Sequence, residues 1–223
     1  MEKVIEQLAD TLTPCSDNNV SPEHELPANL QNFYRYFLSL CDGGYSKDGF
    51  FHFFGQKGPQ LHNLHYCNQT ELWKKHFAID EKTFVFAEDI FGTQFCFDVR
   101  GNRRVVKMLI PDGGKLSLCA NTFEEFLKQE VFSVESNFEV RQMARSFFLS
   151  GKEDFRPFTH IACLIPVSLG GKDTDMANLH MIRSSTNLKI LGQIREQIKN
   201  LSPGIKIRDV KIDYEKEEIK LVC

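Results

Sequence analysis

The stretch FAEDIFGTQFCFD holds three carboxylates, Glu88, Asp89 and Asp98, which are the first candidates for chemistry. Paired catalytic acids need two carboxyl groups a few ångströms apart with divergent pKa values. Alternating phenylalanines on both sides instead predict two strands joined by a turn, with Asp98 at the far end of the second strand. Glu88 and Asp89 would begin the turn, where aspartate bonds its own backbone. The pattern favours a solvated or partner-facing acidic turn over an acid pair.

A second candidate is HNLHYC, in which His62, His65 and Cys67 offer imidazole and thiolate ligands of the kind that zinc and copper prefer. A fourth ligand at a suitable spacing is missing. The seven cysteines of the chain are scattered and never form CxxC. The sequence therefore predicts reduced thiols, an ordinary surface loop at HNLHYC, no metal and no cofactor.

Other catalytic signatures are absent from the sequence. No GxSxG elbow, cysteine-centred signature or glycine-rich phosphate loop occurs, and Gly113-Gly114 and Gly170-Gly171 are simple turn pairs. The basic residues Lys189, Arg195 and Lys199 fall on the outer face of a helix, as in a solvated face, and lack the exposed aromatics of a nucleic-acid site. We expect a non-enzymatic protein that does not bind nucleic acid directly.

Composition describes a globular protein with an aromatic core: 42% of residues are hydrophobic, 26% are charged and 20 are phenylalanine. The net charge of −3 conceals a split, because residues 1–135 carry 19 acids and 13 bases, a net charge of 13 − 19 = −6. Such a surface attracts basic partners. No apolar run is long enough to span a bilayer, and the start lacks a secretory h-region, so we expect a cytoplasmic protein without membrane contact.

The predicted elements form an antiparallel meander with helices. Residues 1–25 read as a helix and a polar loop, an amphipathic helix starts at Leu26-Pro27, and strands and turns alternate up to a helix capped by Thr122 and Glu125. Residues 133–156 read as a connector. Residues 157–223 combine a strand, a helix and two closing strands. The fold class is therefore α+β, a mainly antiparallel sheet covered by helices, with a smaller C-terminal α/β segment.

The helix of the C-terminal region carries one apolar stripe. Its members are Leu188, Leu191, Ile194, Ile198 and Leu201. Exposing five aliphatic side chains would cost several kcal/mol at about 25 cal/mol per Å². We expect the first domain to cover this stripe.

In this order, LPANLQNFYRYFLSLCDGG, GFFHFFG, LWKKHF, FVFAEDIFGTQFCFD and NTFEEFL resemble the SUKH (Smi/Knr-like) superfamily, over a domain of residues 26–132. The matching positions are core and turn residues: Pro27, Gly43, Gly44, Trp73, Phe86, Gly92, Phe95, Phe97 and Phe123. The C-terminal region is similar to part of some type VI secretion immunity proteins. Its matching positions are Pro166, Gly170, Gly171, Asn178 and Gln193.

The resemblance implies a bacterial immunity protein, because many members of the superfamily guard cells against their own secreted toxins. It brings no catalytic set with it. We therefore expect an antitoxin that binds a cognate toxin domain, basic and nuclease-like in character. The alternative is a regulatory scaffold or adaptor that binds an endogenous partner, as eukaryotic members suggest. Acids at or near turns are the predicted partner contacts: Asp42, Asp48, Glu88, Asp89 and Asp112.

Overall fold

A computed structural model describes residues 1–15, 30, 32–98, 105–133, 135–202, 205, 207–213 and 216–222. Leu26 and Pro27, where the first amphipathic helix is predicted to start, lie outside the described residues.

Helices and strands follow the predicted order. The α-helices are α1 (Glu2–Thr11), α2 (Asn32–Leu40), α3 (Leu64–Cys67), α4 (Phe123–Phe126), α5 (Phe138–Leu149) and α6 (Ser184–Lys199). The strands are β1 (Leu12–Thr13), β2 (Gly44–Ser46), β3 (Phe51–Phe53), β4 (Thr83–Asp89), β5 (Gln94–Asp98), β6 (Val106–Ile110), β7 (Lys115–Ala120), β8 (Thr159–Cys163), β9 (Leu179–Arg183), β10 (Asp209–Asp213) and β11 (Glu218–Val222). Short 3₁₀ helices occupy Gln60–His62, Lys74–Phe77, Val167–Leu169 and Met176–Asn178.

In the described part of the chain, strands β1 to β7 form one seven-stranded sheet in sequence order. Every neighbouring pair is antiparallel, and β8–β9 and β10–β11 are separate hairpins. This arrangement confirms the predicted α+β class, with a large antiparallel sheet and smaller C-terminal elements.

Aromatic side chains fill the space between the sheet and the helices α2 and α4. Phe86 stacks on Phe97 with ring centroids 4.1 Å apart, and Phe123 packs on both. The Tyr34 hydroxyl lies 2.9 Å from the carbonyls of Phe54 and Phe86, so this buried polar atom is satisfied. Phe95 is buried in the same core. Trp73 is also buried, and its indole N–H donates a hydrogen bond to the Cys67 carbonyl.

The C-terminal region packs on the sheet. The Ile161 amide donates to the Ile90 carbonyl at 2.8 Å, and the Phe158 amide donates to the Tyr45 hydroxyl at 2.7 Å. Leu188 of α6 belongs to the main core, whereas Ile194 packs with Ile219 of the closing hairpin. The first domain therefore covers Leu188 and Leu191 of the predicted stripe, and strands β10 and β11 pack against Ile194 and Ile198.

Two segments are more closely packed than the sequence suggests. The predicted connector, 133–156, contains the 12-residue helix α5, whose Phe147 is fully buried in the core. The face of α6 predicted to be solvated contacts the first domain, because Arg195 Nη1 donates to the His76 carbonyl at 3.3 Å. The prediction of a solvated face was therefore wrong for Arg195. The apolar stem of this side chain packs on the first domain, and its guanidinium donates the hydrogen bond to His76.

Candidate functional site

A row of polar side chains crosses the sheet. Cross-strand pairing places Tyr45 opposite His52, His52 opposite Glu88, and Glu88 opposite Gln94. Directly paired residues of neighbouring strands project from the same face, so the four side chains form one line. Glu88 is only 4% exposed and His52 only 2%. Buried ionisable groups of this kind must be paired, and the pairing defines the site.

Glu88 is the centre of this buried network. Its Oε1 lies 3.1 Å from His52 Nδ1, and its Oε2 accepts a hydrogen bond from Gln94 Nε2 at 3.0 Å. The Nε2 atom of His160, from β8, lies 3.1 Å from Oε2. Burial alone would raise the pKa of the Glu88 carboxyl, but the His160 and His52 rings hold it well below its usual value. Glu88 is therefore a carboxylate.

Helix α6 fixes the orientation of His160. The Asn187 side-chain amide donates to His160 Nδ1 at 3.1 Å. A neutral imidazole that accepts at Nδ1 carries its proton on Nε2, which is the atom that faces Glu88. His160 Nε2 thus faces the carboxylate, and the contact ties the C-terminal region to the sheet.

At the other end, the network passes from His52 to His62. His52 Nε2 lies 2.9 Å from His62 Nδ1, and His62 Nε2 lies 2.6 Å from the Asp42 carbonyl oxygen. Because Glu88 and this carbonyl can only accept, each ring must donate outward, and one further proton is needed between the rings. Burial and the neighbouring His52 lower the pKa of His62 to about 3. A proton between the two rings lies close to Glu88 and balances its charge.

Glycines give these histidine rings their space. A Cβ on Gly55 would lie 2.4 Å from His62 Nε2, and one on Gly43 would lie 2.8 Å from the same ring. Gly92 has φ +89°, and its Cβ would lie 2.7 Å from His160 Nδ1. Two of the glycines predicted as fold positions, Gly43 and Gly92, therefore border the network.

The sequence that carries most of this network matches a known protein family. The model of the SMI1 / KNR4 family (SUKH-1) matches residues 14–129, about half of the chain. The chain belongs to the SUKH-1 family. This family is known for immunity proteins against toxins, and its members are typically non-enzymatic.

No curated protein matches this SUKH-1 chain. Among solved structures, the crystal structure of Atu4351 from Agrobacterium tumefaciens is similar with a TM-score of 0.48 and 12% sequence identity. The similarity covers 79% of this chain and 85% of that one.

The SUKH-1 match covers only part of the network. His52, His62 and Glu88 lie inside residues 14–129, whereas His160 and Asn187 follow from the C-terminal region. In this SUKH-1 protein, the buried carboxylate therefore joins the family domain to the region that follows it.

The predicted exposure of Glu88 and Asp89 at a turn was wrong. Both lie at the end of β4 and are buried, because His160 and helix α6 cover this end of the sheet. The predicted backbone role of Asp89 is confirmed, since its Oδ1 accepts the amides of Phe91 and Thr93, each at 2.9 Å. Burial raises the pKa of Asp89 to about 6, against these hydrogen bonds.

Glu88 and Asp98 do not form an acid pair. The register places Glu88 opposite Gln94 and Asp98 opposite Thr83, at opposite ends of the β4–β5 pair. Asp98 instead bonds Lys107 Nζ at 2.6 Å. The preference for a structural turn over paired acids agrees with this geometry.

The other three acids predicted to contact a partner have intramolecular roles. Asp42 accepts the amides of Gln56 and Lys57, both at 2.7 Å. Asp48 accepts the Phe50 amide and pairs with Arg141. Asp112 accepts the amides of Val167 and Ser168 at 2.6 and 3.0 Å, which anchors the loop after β8. Contact with a partner by these acids stays a prediction.

The C-terminal residues that resemble type VI secretion immunity proteins also have structural roles. The Asn178 side chain bonds both the amide and the carbonyl of Ile165, and Gly171 leaves no space for a Cβ beside that carbonyl. Pro166 and Gly170 border the 3₁₀ turn Val167–Leu169. Gln193 bonds the Glu217 carbonyl and the Ile219 amide, which holds the closing hairpin on α6.

The HNLHYC residues do not converge. His65 is exposed, and the buried Cys67 thiol contacts the Leu61 carbonyl. Within the described chain, the donors that do converge are those of Cys15, His52 and His62, whose ligand atoms lie within 4.8 Å of one another. Sequence reasoning missed this group because its members come from three separate segments.

Cys15, His52 and Glu88 also follow the order of a nucleophile, a base and an orienting acid. The thiol sulfur, however, is 3.9 Å from His52 Nε2, while His62 Nδ1 is 2.9 Å from the same atom. His62 therefore holds the nitrogen that a catalytic base would need to take the thiol proton. The geometry favours a structural or ligand-binding role over nucleophilic catalysis.

Proposed function

We propose that this SUKH-1 protein is a non-enzymatic immunity protein that binds and neutralises a toxin domain. Membership of a family known for immunity proteins, through a match to residues 14–129, is the observation that carries the proposal. The ionisable side chains around Glu88 are buried and contact one another. This arrangement is consistent with a protein that acts by binding and not by catalysis. Function then depends on the surface.

An exposed aliphatic patch is the best candidate for the partner surface. We define the apolar patch as Ile110, Leu164, Ile165 and Val167, which are 49%, 43%, 55% and 47% exposed. Asp112 connects its two parts, because it follows Ile110 in the chain and binds the amide of Val167. Clustered exposed aliphatics with a polar rim are typical of protein interfaces.

Charge supports a basic partner such as a nuclease toxin. Residues 1–135 carry a net charge of −6, and helix α1 presents Glu2, Glu6 and Asp10, all exposed and four residues apart. Residues at this spacing share a helix face. Acids so placed would steer a basic toxin and speed association, while the apolar patch would slow dissociation.

As part of the same proposal, this protein acts in the cytoplasm against a toxin domain that works there. No helix in the described ranges is long and apolar enough to cross a membrane. The similarity of the C-terminal region to type VI secretion immunity proteins makes a toxin from that system the proposed partner.

Binding to the toxin domain encoded beside the gene tests the proposal. We expect a one-to-one complex by isothermal titration calorimetry, weakened about tenfold or more by Ile165→Glu or Val167→Glu, since tenfold corresponds to about 1.4 kcal/mol. Leu149→Glu is the matched control, because Leu149 is 76% exposed at the end of α5, outside the segments that carry the apolar patch.

The absence of any complex with the neighbouring gene product would contradict immunity. Recovery of an unrelated endogenous protein in a stoichiometric complex would then favour the regulatory scaffold. Equal weakening by Leu149→Glu would place the interface elsewhere.

A further inference from the structure

We propose that Cys15 Sγ, His52 Nε2 and His62 Nδ1 bind a zinc ion. The three ligand atoms lie within 4.8 Å of one another, on three segments that the fold brings together. Cys15 follows β1, His52 lies in β3, and His62 ends the 3₁₀ helix Gln60–His62. Two imidazoles and one thiolate form a donor set that zinc commonly accepts.

The partners of the outer nitrogens prepare both rings for a metal. His52 Nδ1 contacts the Glu88 carboxylate, and His62 Nε2 contacts the Asp42 carbonyl. Metal-binding histidines almost always donate their second N–H to a carboxylate or a backbone carbonyl, which fixes the tautomer. Here both kinds of acceptor are present, one for each ring.

The inward nitrogens then face each other with lone pairs. Once both rings donate outward, His52 Nε2 and His62 Nδ1 can lie 2.9 Å apart only with a cation between them, either a proton or a metal ion. A tetrahedral zinc site places two nitrogen ligands about 3.3 Å apart. A shift of a few tenths of an ångström would therefore give the two nitrogens the separation that zinc requires, and the Cys15 side chain would move towards them from its present 3.9 Å separation from His52 Nε2.

The charges of the site suit a dication. Zinc binds a thiolate and neutral imidazoles, so protons held on the ligand atoms leave to solvent when the ion enters. The Cys15 thiolate and the Glu88 carboxylate, which contacts His52, then balance the two positive charges of zinc.

Cys15 gives the cluster its access to solvent. This half-buried residue lines a groove of about 500 Å³ with Tyr45, Phe155 and Phe158. An open zinc site commonly has three protein ligands and a water, and a water here would have to enter from the side of Cys15. The ion would also fasten the segment after β1 to strand β3.

Metal analysis of untagged protein tests the proposal. We expect chelator-treated wild-type protein to retain one zinc ion per chain after gel filtration with a small excess of zinc chloride, as measured by mass spectrometry of the metal. Cys15→Ser and His62→Gln should lose this zinc, with affinities lowered more than roughly tenfold. The matched controls Cys119→Ser and His65→Gln replace a half-buried cysteine and an exposed histidine outside the cluster, and should retain it.

Alkylation of the wild-type protein keeps the test independent of variant folding. Zinc should protect Cys15 from iodoacetamide, read by peptide mass spectrometry, and leave the labelling of the half-buried Cys119 and Cys163 unchanged. Wild-type protein that retains no zinc, or zinc-independent labelling of Cys15, would overturn the proposal and leave the shared proton as the only cation of the site.

Discussion

Replacing Glu88 with glutamine tests the buried network directly. The substitution preserves size and removes one charge. In the wild-type protein, the carboxylate faces three nitrogen donors, on His52, Gln94 and His160. A glutamine oxygen can still accept from His52, but its amide N–H₂ then faces two other donors. Gln94 is held in its orientation because Nε2 also donates to the Gly92 carbonyl at 3.0 Å.

The expected cost is large for a single isosteric change. Removing one partner of a buried ion pair costs roughly 3–5 kcal/mol, and each buried donor without an acceptor costs about 1–3 kcal/mol. Because glutamine keeps one acceptor, we expect a loss of about 3 kcal/mol. At roughly 2–4 °C per kcal/mol for a chain of this size, the melting temperature should fall by about 6–12 °C.

Urea unfolding and calorimetry at neutral pH would measure this loss. Asp98→Asn is the matched control, since Asp98 is also a buried acid of the β4–β5 pair but bonds the partly exposed Lys107. Because Lys107 stays partly solvated, we expect Asp98→Asn to cost about 1–2 kcal/mol, less than Glu88→Gln. A Glu88→Gln protein within about 1 kcal/mol of the wild type would refute the assignment of a shared proton balanced by Glu88.

Three further predictions follow from the same geometry. Gly92→Ala should lower the free energy of unfolding, measured in urea, by at least about 1 kcal/mol more than Gly170→Ala. Both glycines have similar positive φ, but only a Cβ at position 92 would meet the His160 ring. Equal losses in the two variants would contradict this contact. The folded-state pKa of Asp89 is raised from 3.8 to about 6, so the stability of the wild-type protein should fall by up to about 3 kcal/mol as the pH rises from 4 to 6. Asp89→Asn should remove this fall, as measured by unfolding at several pH values. A variant with the same pH dependence as the wild type would contradict this prediction. Ending the chain after about residue 150 should expose the face that Ile161 and Leu188 cover and increase binding of a hydrophobic dye, whereas a monomeric fragment that melts near the full-length temperature would show that the C-terminal region is independent.

Local sequence patterns predicted most of the fold. Alternating phenylalanines located β4 and β5, and the capping box at Thr122 located α4, where the Thr122 side chain accepts the Glu125 amide. These signals are readable because they depend on residues close together in the chain. The connector was harder to interpret, since the polar face of α5 conceals the few residues, such as Phe147, that reach the core.

The site could not be read in the same way. Glu88 appears in the sequence as part of a turn, and its burial depends on His160, which follows 72 positions later (160 − 88). The pairing of His52 with His62 depends on cross-strand register and on the close approach of Gly55. Tertiary packing of this kind leaves no periodic signal, so HNLHYC drew attention to His65 and Cys67 instead of Cys15 and His52.

Growth protection is the most direct test of the central claim that this SUKH-1 protein neutralises a toxin. The toxin domain encoded beside the gene would be induced in a heterologous bacterium together with wild-type protein, Ile165→Glu or Leu149→Glu, with expression levels matched by immunoblot. We predict growth with wild type and Leu149→Glu, and arrest with Ile165→Glu. Arrest with soluble wild-type protein present at levels above the toxin would contradict the account.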